Sequence, residues 1–352
     1  MTMRGRSNGT PQRHIPWMLP HYGSDKNGLI CGFFFGPAVA GVSVDLAGAL
    51  TWLRESSPES GFLWLHFNLA DAASEAWMRQ ELQVVPEFFE ALHEGSHSTR
   101  IEDAGDTLVA VINDVAFEFA FDPSEIESLW VSVDQRLVVS ARLHPLRSID
   151  RLRHAVKEGC RFDSTIAFLV RLLQDQGDVL VRIVREATLR VDGIEDSLLA
   201  GRSSQQRADL GKLRRVMVRL QRLLAPEPGA LFRLLRQPPP WVPVDGLEEL
   251  RQATEEFTLV IRDMAELQER IKLLQEEIAA QLGEQTNRSV FTLTVVTVLA
   301  LPINIAAGLL GMNVGGIPFA EDKHGFQIVV ALIAGFTALA GWQALRWRRK
   351  VS

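Results

Sequence analysis

The sequence predicts an α+β body with a mixed or antiparallel sheet and flanking helices, then a helical hairpin, a very long helix and two C-terminal membrane helices. Three observations predict it. Two uncharged stretches, 289–310 and 325–345, lie near the chain end, and each as a helix spans about 30 Å, the thickness of a bilayer's hydrocarbon core. Ahead of them, Leu250, Phe257, Met264, Ile271 and Ile278 repeat every seven residues, with Ala253, Val260, Leu267 and Leu274 three residues on from the first four. Further upstream, short apolar runs rich in β-formers alternate with helical patterns.

Composition bounds the function. The chain has 352 residues, 47% hydrophobic and 23% charged, enough for a real core and two domains. Its net charge of −6 does not point to nucleic acid. That average hides a split: residues after Gln285 carry six basic and two acidic side chains, leaving 31 basic and 41 acidic before them. Cys31 and Cys160 lie far apart, which excludes a disulfide framework or thiolate zinc site and fits a reducing compartment. No apolar run marks a secretory signal near the start, so 1–27 reads as a loose arm.

The elements follow in order. Region 28–160 reads as the α/β domain, with strand candidates at 29–35, 62–69, 107–112, 117–121, 129–133 and 137–141. Helical patterns stand at 71–83, 86–94 and 145–158. Short spacings within 107–121 and 129–141 suggest hairpins. No glycine-rich phosphate loop follows a strand. Region 161–244 reads as a helical hairpin and linker: helices at 163–200 and 205–224 flank Gly201-Arg202-Ser203-Ser204, and Pro226, Pro228 and Pro238 to Pro240 mark a break before Trp241. A stalk helix takes 245–288 and runs directly into the first span, 289–310. Its heptad seam suggests protomers packed side by side. An outer loop at 311–324, a second span at 325–345 and a basic tail at 346–352 complete the chain.

Orientation follows from charge. The tail RWRRK is basic, whereas the loop between the spans holds Glu321, Asp322 and one lysine, Lys323. The positive-inside rule puts the tail, and with two spans the N-terminal body, in the cytoplasm. Trp342 and Trp347 then sit near the inner interface. Two spans cannot enclose a water-filled path alone, so transport demands an oligomer. Polar groups in lipid are costly and should face protein or pore. Steps of three or four residues from Asn287 give Val290, Thr294, Thr297, Leu301, Asn304, Gly308 and Gly311, one helix face that gathers both asparagines and, of the threonines, Thr294 and Thr297. The alternative is that these groups only bond between packed helices. On that face Val290 and Leu301 would form apolar constrictions, while Val295, Val298 and Ile305 should face lipid or the second span.

Directly after the first span stands Gly311-Met312-Asn313, within GLLGMNVGGIPF. With the hairpin of spans, the long preceding helix and the basic tail, this motif resembles the CorA superfamily of divalent metal ion transporters. The following Val314-Gly315-Gly316-Ile317-Pro318 is most like its zinc-transporting ZntB branch. The resemblance is tight over the C-terminal third and one of layout before it. It implies a homopentamer in a bacterial-type inner membrane, both termini cytoplasmic, with the first span lining the pore. It implies no enzyme activity and no cofactor, zinc as transported ion, and protons as a coupled partner. Small Gly311 would let the helix end. A ring of Asn313 amides would present neutral oxygens to a cation that keeps its water shell, since Mg²⁺ dehydrates reluctantly, and Met312 packs rather than ligates.

Other candidates carry less. Glu321, Asp322 and His324, repeated in an oligomer, could concentrate cations at the mouth or merely keep the loop in water. Glu266, Glu269, Glu276 and Glu284 recur near the backward extension of the stripe and could line an acidic funnel, or form a solvated face. His93 and His97 are spaced four apart around Gly95 and read as loop residues. The hairpin helices are rich in arginine, unlike the acidic helices of magnesium-carrying relatives, which puts metal sensing there in doubt. No Cys or His stands on the stripe, so zinc is not selected by its usual ligands. The rival readings are a Mg²⁺, Co²⁺ or Ni²⁺ channel of the same build, and a membrane-tethered scaffold that carries nothing.

Overall fold

The computed structural model describes residues 23–351 apart from 38, 58–59, 95–98, 200–205, 226 and 313–322. The chain divides into two compact units, Met1–Lys272 and Leu273–Ser352. In the first, strands β1 (Leu29–Phe35), β2 (Val42–Ser43), β3 (Phe62–Asn68), β4 (Arg100–Asp103), β5 (Leu108–Val115), β6 (Ile126–Val133) and β7 (Leu137–Arg142) form one sheet of order β2-β1-β3-β7-β6-β5-β4. β3 and β7 pair in parallel, with His66 opposite Ser140, and every other pair is antiparallel. The sheet is therefore mixed, and β4 to β7 form a meander.

Helices cover both faces. α1 (Leu46–Glu55), α2 (Ala72–Glu81) and α3 (Pro86–His93) belong to the core around Leu63, Leu65, Phe67 and Trp130. α4 (Arg147–Lys157), α5 (Thr165–Leu199) and α7 (Glu227–Arg236) belong to the other, around Phe35, Trp64, Ile112 and Leu129. Burial on two sides explains why β3 reads as the nearly unbroken apolar run FLWLHF. Asp45 and Asp71 cap α1 and α2 by accepting from Gly48 and Ala73 N–H groups, the role their short carboxylates suit.

Several expectations need correction. Residues 117–121 are not a strand: β5 ends at Val115, and the chain turns through Pro123–Glu125, a short 3₁₀ segment, before β6. Phe121 there has φ 63°, which no strand accommodates. α1, β2 and β4 were not anticipated. Nor was α7, because five prolines nearby read as a break; Pro228 sits in its first turn, where a missing N–H costs nothing. His93 is the last residue of α3 rather than part of a loop, and its Nε2 lies 3.0 Å from Glu75 Oε1; His97 lies outside the described residues. So does the hairpin turn between α5 and α6 (Gln206–Leu224).

α8 (Val244–Leu310) is one helix of 67 residues, so stalk and first span are continuous. α9 (Gly325–Val351) carries the second span and extends through the basic tail. The heptad seam is buried inside a single chain: Leu250, Met264 and Ile271 have no exposed surface. Leu250 and Ala253 join the core shared with α5 and α7. Gln268 Nε2 donates to the Met217 carbonyl of α6 at 2.9 Å, and Arg270 pairs with Asp192 and Glu195 of α5. Lateral packing of protomers along this seam is therefore overturned, because the chain's own helices cover it. At the start of α8 a Cβ on Gly246 would lie 2.6 Å from Ile166 Cγ2, so the glycine permits close approach to α5.

Candidate ion pathway

Two helices, α8 and α9, are long and apolar enough to cross a membrane. Along the first span, Val295, Leu299, Pro302 and Ala306 are half-buried and share a face; Ala300 is the one further half-buried residue of that stretch. At about 100° per residue, this face lies roughly 150° around the helix from the stripe. Asn287, Val290, Thr294, Thr297, Leu301, Asn304 and Gly308 are all exposed. The polar stripe thus lies within the wider surface that the chain leaves uncovered, which also holds Leu293, Val296 and Leu309. Val298 and Ile305 are 57% and 54% exposed and border the stripe, so of the three residues expected to turn away only Val295 lies on the covered face.

The threonines of the stripe, like Thr292 beside it, bond back to their own helix. Thr294 Oγ1 donates to the Val290 carbonyl and Thr297 Oγ1 to the Leu293 carbonyl, each at 2.8 Å. With its proton committed to the helix, each hydroxyl presents only lone pairs outward. An oxygen-only surface suits a positive ion or its water shell. Sequence reasoning passed over Pro302, which lies inside α8. Lacking an N–H, it leaves the Val298 carbonyl without its helical donor, beside the stripe. The signal was legible as a proline in an otherwise uninterrupted span.

At its C-terminal end α8 stops at Leu310, and the Gly311 N–H closes on the Ala307 carbonyl at 3.0 Å. A Cβ on Gly311 would lie 3.0 Å from that same oxygen, a close approach that favours a residue without a side chain. Met312 is 51% exposed. Asn313, Glu321 and Asp322 lie outside the described residues; His324 precedes α9, its carbonyl accepting from the Ile328 N–H. On the stalk, Glu266 pairs with Arg262, Glu269 with Lys272 and Glu284 with Arg288. Such pairing favours a solvated, charge-balanced face over an acidic funnel. Among the described residues no cluster of three His, Cys, Asp or Glu side chains could hold a metal.

A family model described as "CorA-like Mg2+ transporter protein" matches residues 59–346. The chain belongs to this CorA-like family. It is 29% identical over 339 residues to the divalent cation transporter CmaX of Pseudomonas aeruginosa, covering 94% of this chain and 100% of that protein. It is 24% identical over 277 residues to the zinc transport protein ZntB of Yersinia enterocolitica, covering 77% and 84%. The structure of full-length CmaX matches with a TM-score of 0.76 at 27% identity over 93% of this chain and 99% of that one. The CorA magnesium transporter of Methanocaldococcus jannaschii matches with a TM-score of 0.72 at 18% identity over 92% and 98%, a likeness of fold. CorA-like membership makes this a divalent cation transporter with ZntB-like relatives, from a family of membrane transporters rather than enzymes.

Proposed function

We propose that this protein carries divalent cations, zinc foremost, through a pore made by five copies of α8 in an inner membrane, with both termini cytoplasmic. The observation that carries the reading is the uncovered polar stripe on the first span of a CorA-like chain. Ions enter past Asn313, pass the oxygens of Asn304, Thr297 and Thr294, and meet apolar constrictions at Leu301 and Val290. Glu321, Asp322 and His324 gather cations at the mouth. Similarity to ZntB supports zinc, and a proton gradient is the proposed partner in transport. Hydrated Mg²⁺ is the second reading, favoured by a stripe without Cys or His. Flux into liposomes holding the purified protein, with competing metals and an imposed pH gradient, tests both. Zinc uptake enhanced by the gradient is expected; uptake of Mg²⁺ alone selects the second reading, and no flux of any divalent ion rejects transport.

Asn313 gives the sharpest residue test. Removing an oxygen acceptor that faces a cation forfeits an interaction worth about 1.5–3 kcal/mol. Asn313→Ala is therefore expected to lower flux by about tenfold or more with assembly intact. Unchanged flux through a folded Asn313→Ala protein removes Asn313 from the pathway.

A further inference from the structure

Glu227 opens α7 and has no exposed surface. Its Oε2 lies 3.4 Å from the Gln176 Nε2 of α5, its Oε1 has no hydrogen-bond partner, and no ion pair of the described residues includes it. Gln176 is equally buried, and its Nε2 also donates to the Asn113 carbonyl of β5 at 2.6 Å. That bond fixes the amide's orientation, because a carbonyl accepts only from the nitrogen. The Gln176 Oε1 is left without a donor. The charged neighbour is Asp114 of β5, of the same sign. Its own oxygens are taken by the Val115 N–H and by the N–H and hydroxyl of Ser148 from α4, with Arg147 acting on it from the same helix.

Two acceptors without donors, on a pair of buried side chains already joined by one N–H to oxygen contact, are short of one hydrogen. We propose that Glu227 is a proton-binding site: its carboxylate takes up one proton, the resulting Oε1–H donates to Gln176 Oε1, and the closed ring fastens α7 to α5 and β5. A single proton supplies the donor that both acceptors lack. The ionised form instead buries a charge with one long amide contact beside a second carboxylate, which is unfavourable. Burial accordingly holds the Glu227 carboxyl well above the usual range; Gln176 opposes this and Asp114 adds to it. Since the folded chain holds a proton that the unfolded chain releases in the ordinary carboxylate range, the stabilisation is complete below that range. It is lost as pH rises through the folded value. α7 leads through 237–243 into α8, so the bound proton fixes the segment from which the stalk starts. The inference concerns the first unit and stands whether or not protons drive transport.

Infrared spectroscopy of the full-length protein at neutral pH, in a detergent without esters or carboxyls, tests it. The C=O absorption of a protonated carboxylic acid is expected in the unmutated protein and in Asp114→Asn, and its complete loss in Glu227→Gln. In Glu227→Gln an amide N–H replaces the acid O–H, so the ring persists without a titrating group. Thermal unfolding should then lose, in Glu227→Gln, the fall in stability that the unmutated protein shows as pH rises above the ordinary carboxylate range. No acid band in the unmutated protein, or a band and a pH dependence that survive Glu227→Gln, overturns the proposal. Should Glu227→Gln fail to fold, carbon-13 labelling of glutamate carboxyls in the unmutated chain decides, since a band that does not move is not from glutamate.

Discussion

At the end of β5, Asp114 caps a helix that its own neighbours in sequence leave uncapped. Leu146 stands at the N-cap of α4 with no side chain to offer, and Asp114 Oδ2 accepts from the Ser148 N–H at 2.7 Å and its hydroxyl at 2.5 Å. Burial raises this carboxyl, while the Ser148 donors pull it down. Asp114→Ala strips a cap and leaves buried donors unpaired, so it is expected to cost about 2–4 kcal/mol in chemical denaturation of the full chain. Asp114→Asn, which keeps an acceptor, should recover most of that; equal losses from both would mean that volume alone matters. His66 is held by the same kind of distant pairing. Arg142 Nε donates to its Nε2 at 3.0 Å, so the ring proton sits on Nδ1 and goes to Ser140 Oγ, which also accepts from Trp64 Nε1. Burial, then Arg142 and Arg153, hold the imidazole well below its ordinary value and neutral. None of this was legible in the sequence, since Asp114 and Ser148 are 34 residues apart and His66 and Ser140 are 74. Gly311 was legible, because ending a helix is a local matter.

The stalk shows how an element can be read correctly and its partner missed. A seven-residue repeat says that one face of α8 is covered, and the same repeat serves a neighbouring chain or the chain's own α5 and α6. Nothing in the spacing separates the two. Met264 has no exposed surface. Met264→Ala should therefore cost about 2–5 kcal/mol of stability in the first unit. Because the seam is covered within one protomer, the stoichiometry measured by native mass spectrometry should not change. Dissociation of the assembly by Met264→Ala at unchanged protomer stability would return the seam to the interface. Strands β1, β3, β5, β6 and β7 and the spans were legible because burial leaves long apolar runs, whereas the short edge strands β2 and β4 carry none. α7 and residues 117–121 were not: prolines in a first turn imitate a break, and alternating phenylalanines imitate a strand.

At the scale of the whole molecule, the question is which face of the first span looks onto water when copies assemble. A chain with two spans cannot enclose a path, so the face left uncovered by one protomer must meet either lipid, neighbours or the pore. Thr294, Thr297 and Asn304 are costly to leave in lipid, which leaves a neighbouring protomer or the pore proposed above, whereas Val295, Leu299 and Ala306 are half-buried within the chain. Single cysteines at these six positions, in a background with Cys31→Ser and Cys160→Ser, separate the faces under a water-soluble, membrane-impermeant thiol reagent. Only the thiolate reacts, and it forms readily in water alone; burial at Cys31 already pushes a thiol up to about 12. Thr294→Cys, Thr297→Cys and Asn304→Cys should label at least about tenfold faster than the other three. Zinc should slow them wherever the ion occupies the path. Leu301→Cys is the internal control, on the stripe but at a constriction, and should label slowly in the closed state and quickly in the open one. Faster labelling of Val295→Cys, Leu299→Cys and Ala306→Cys would put the water on the opposite side of α8. The stripe would then be a surface by which protomers bind one another.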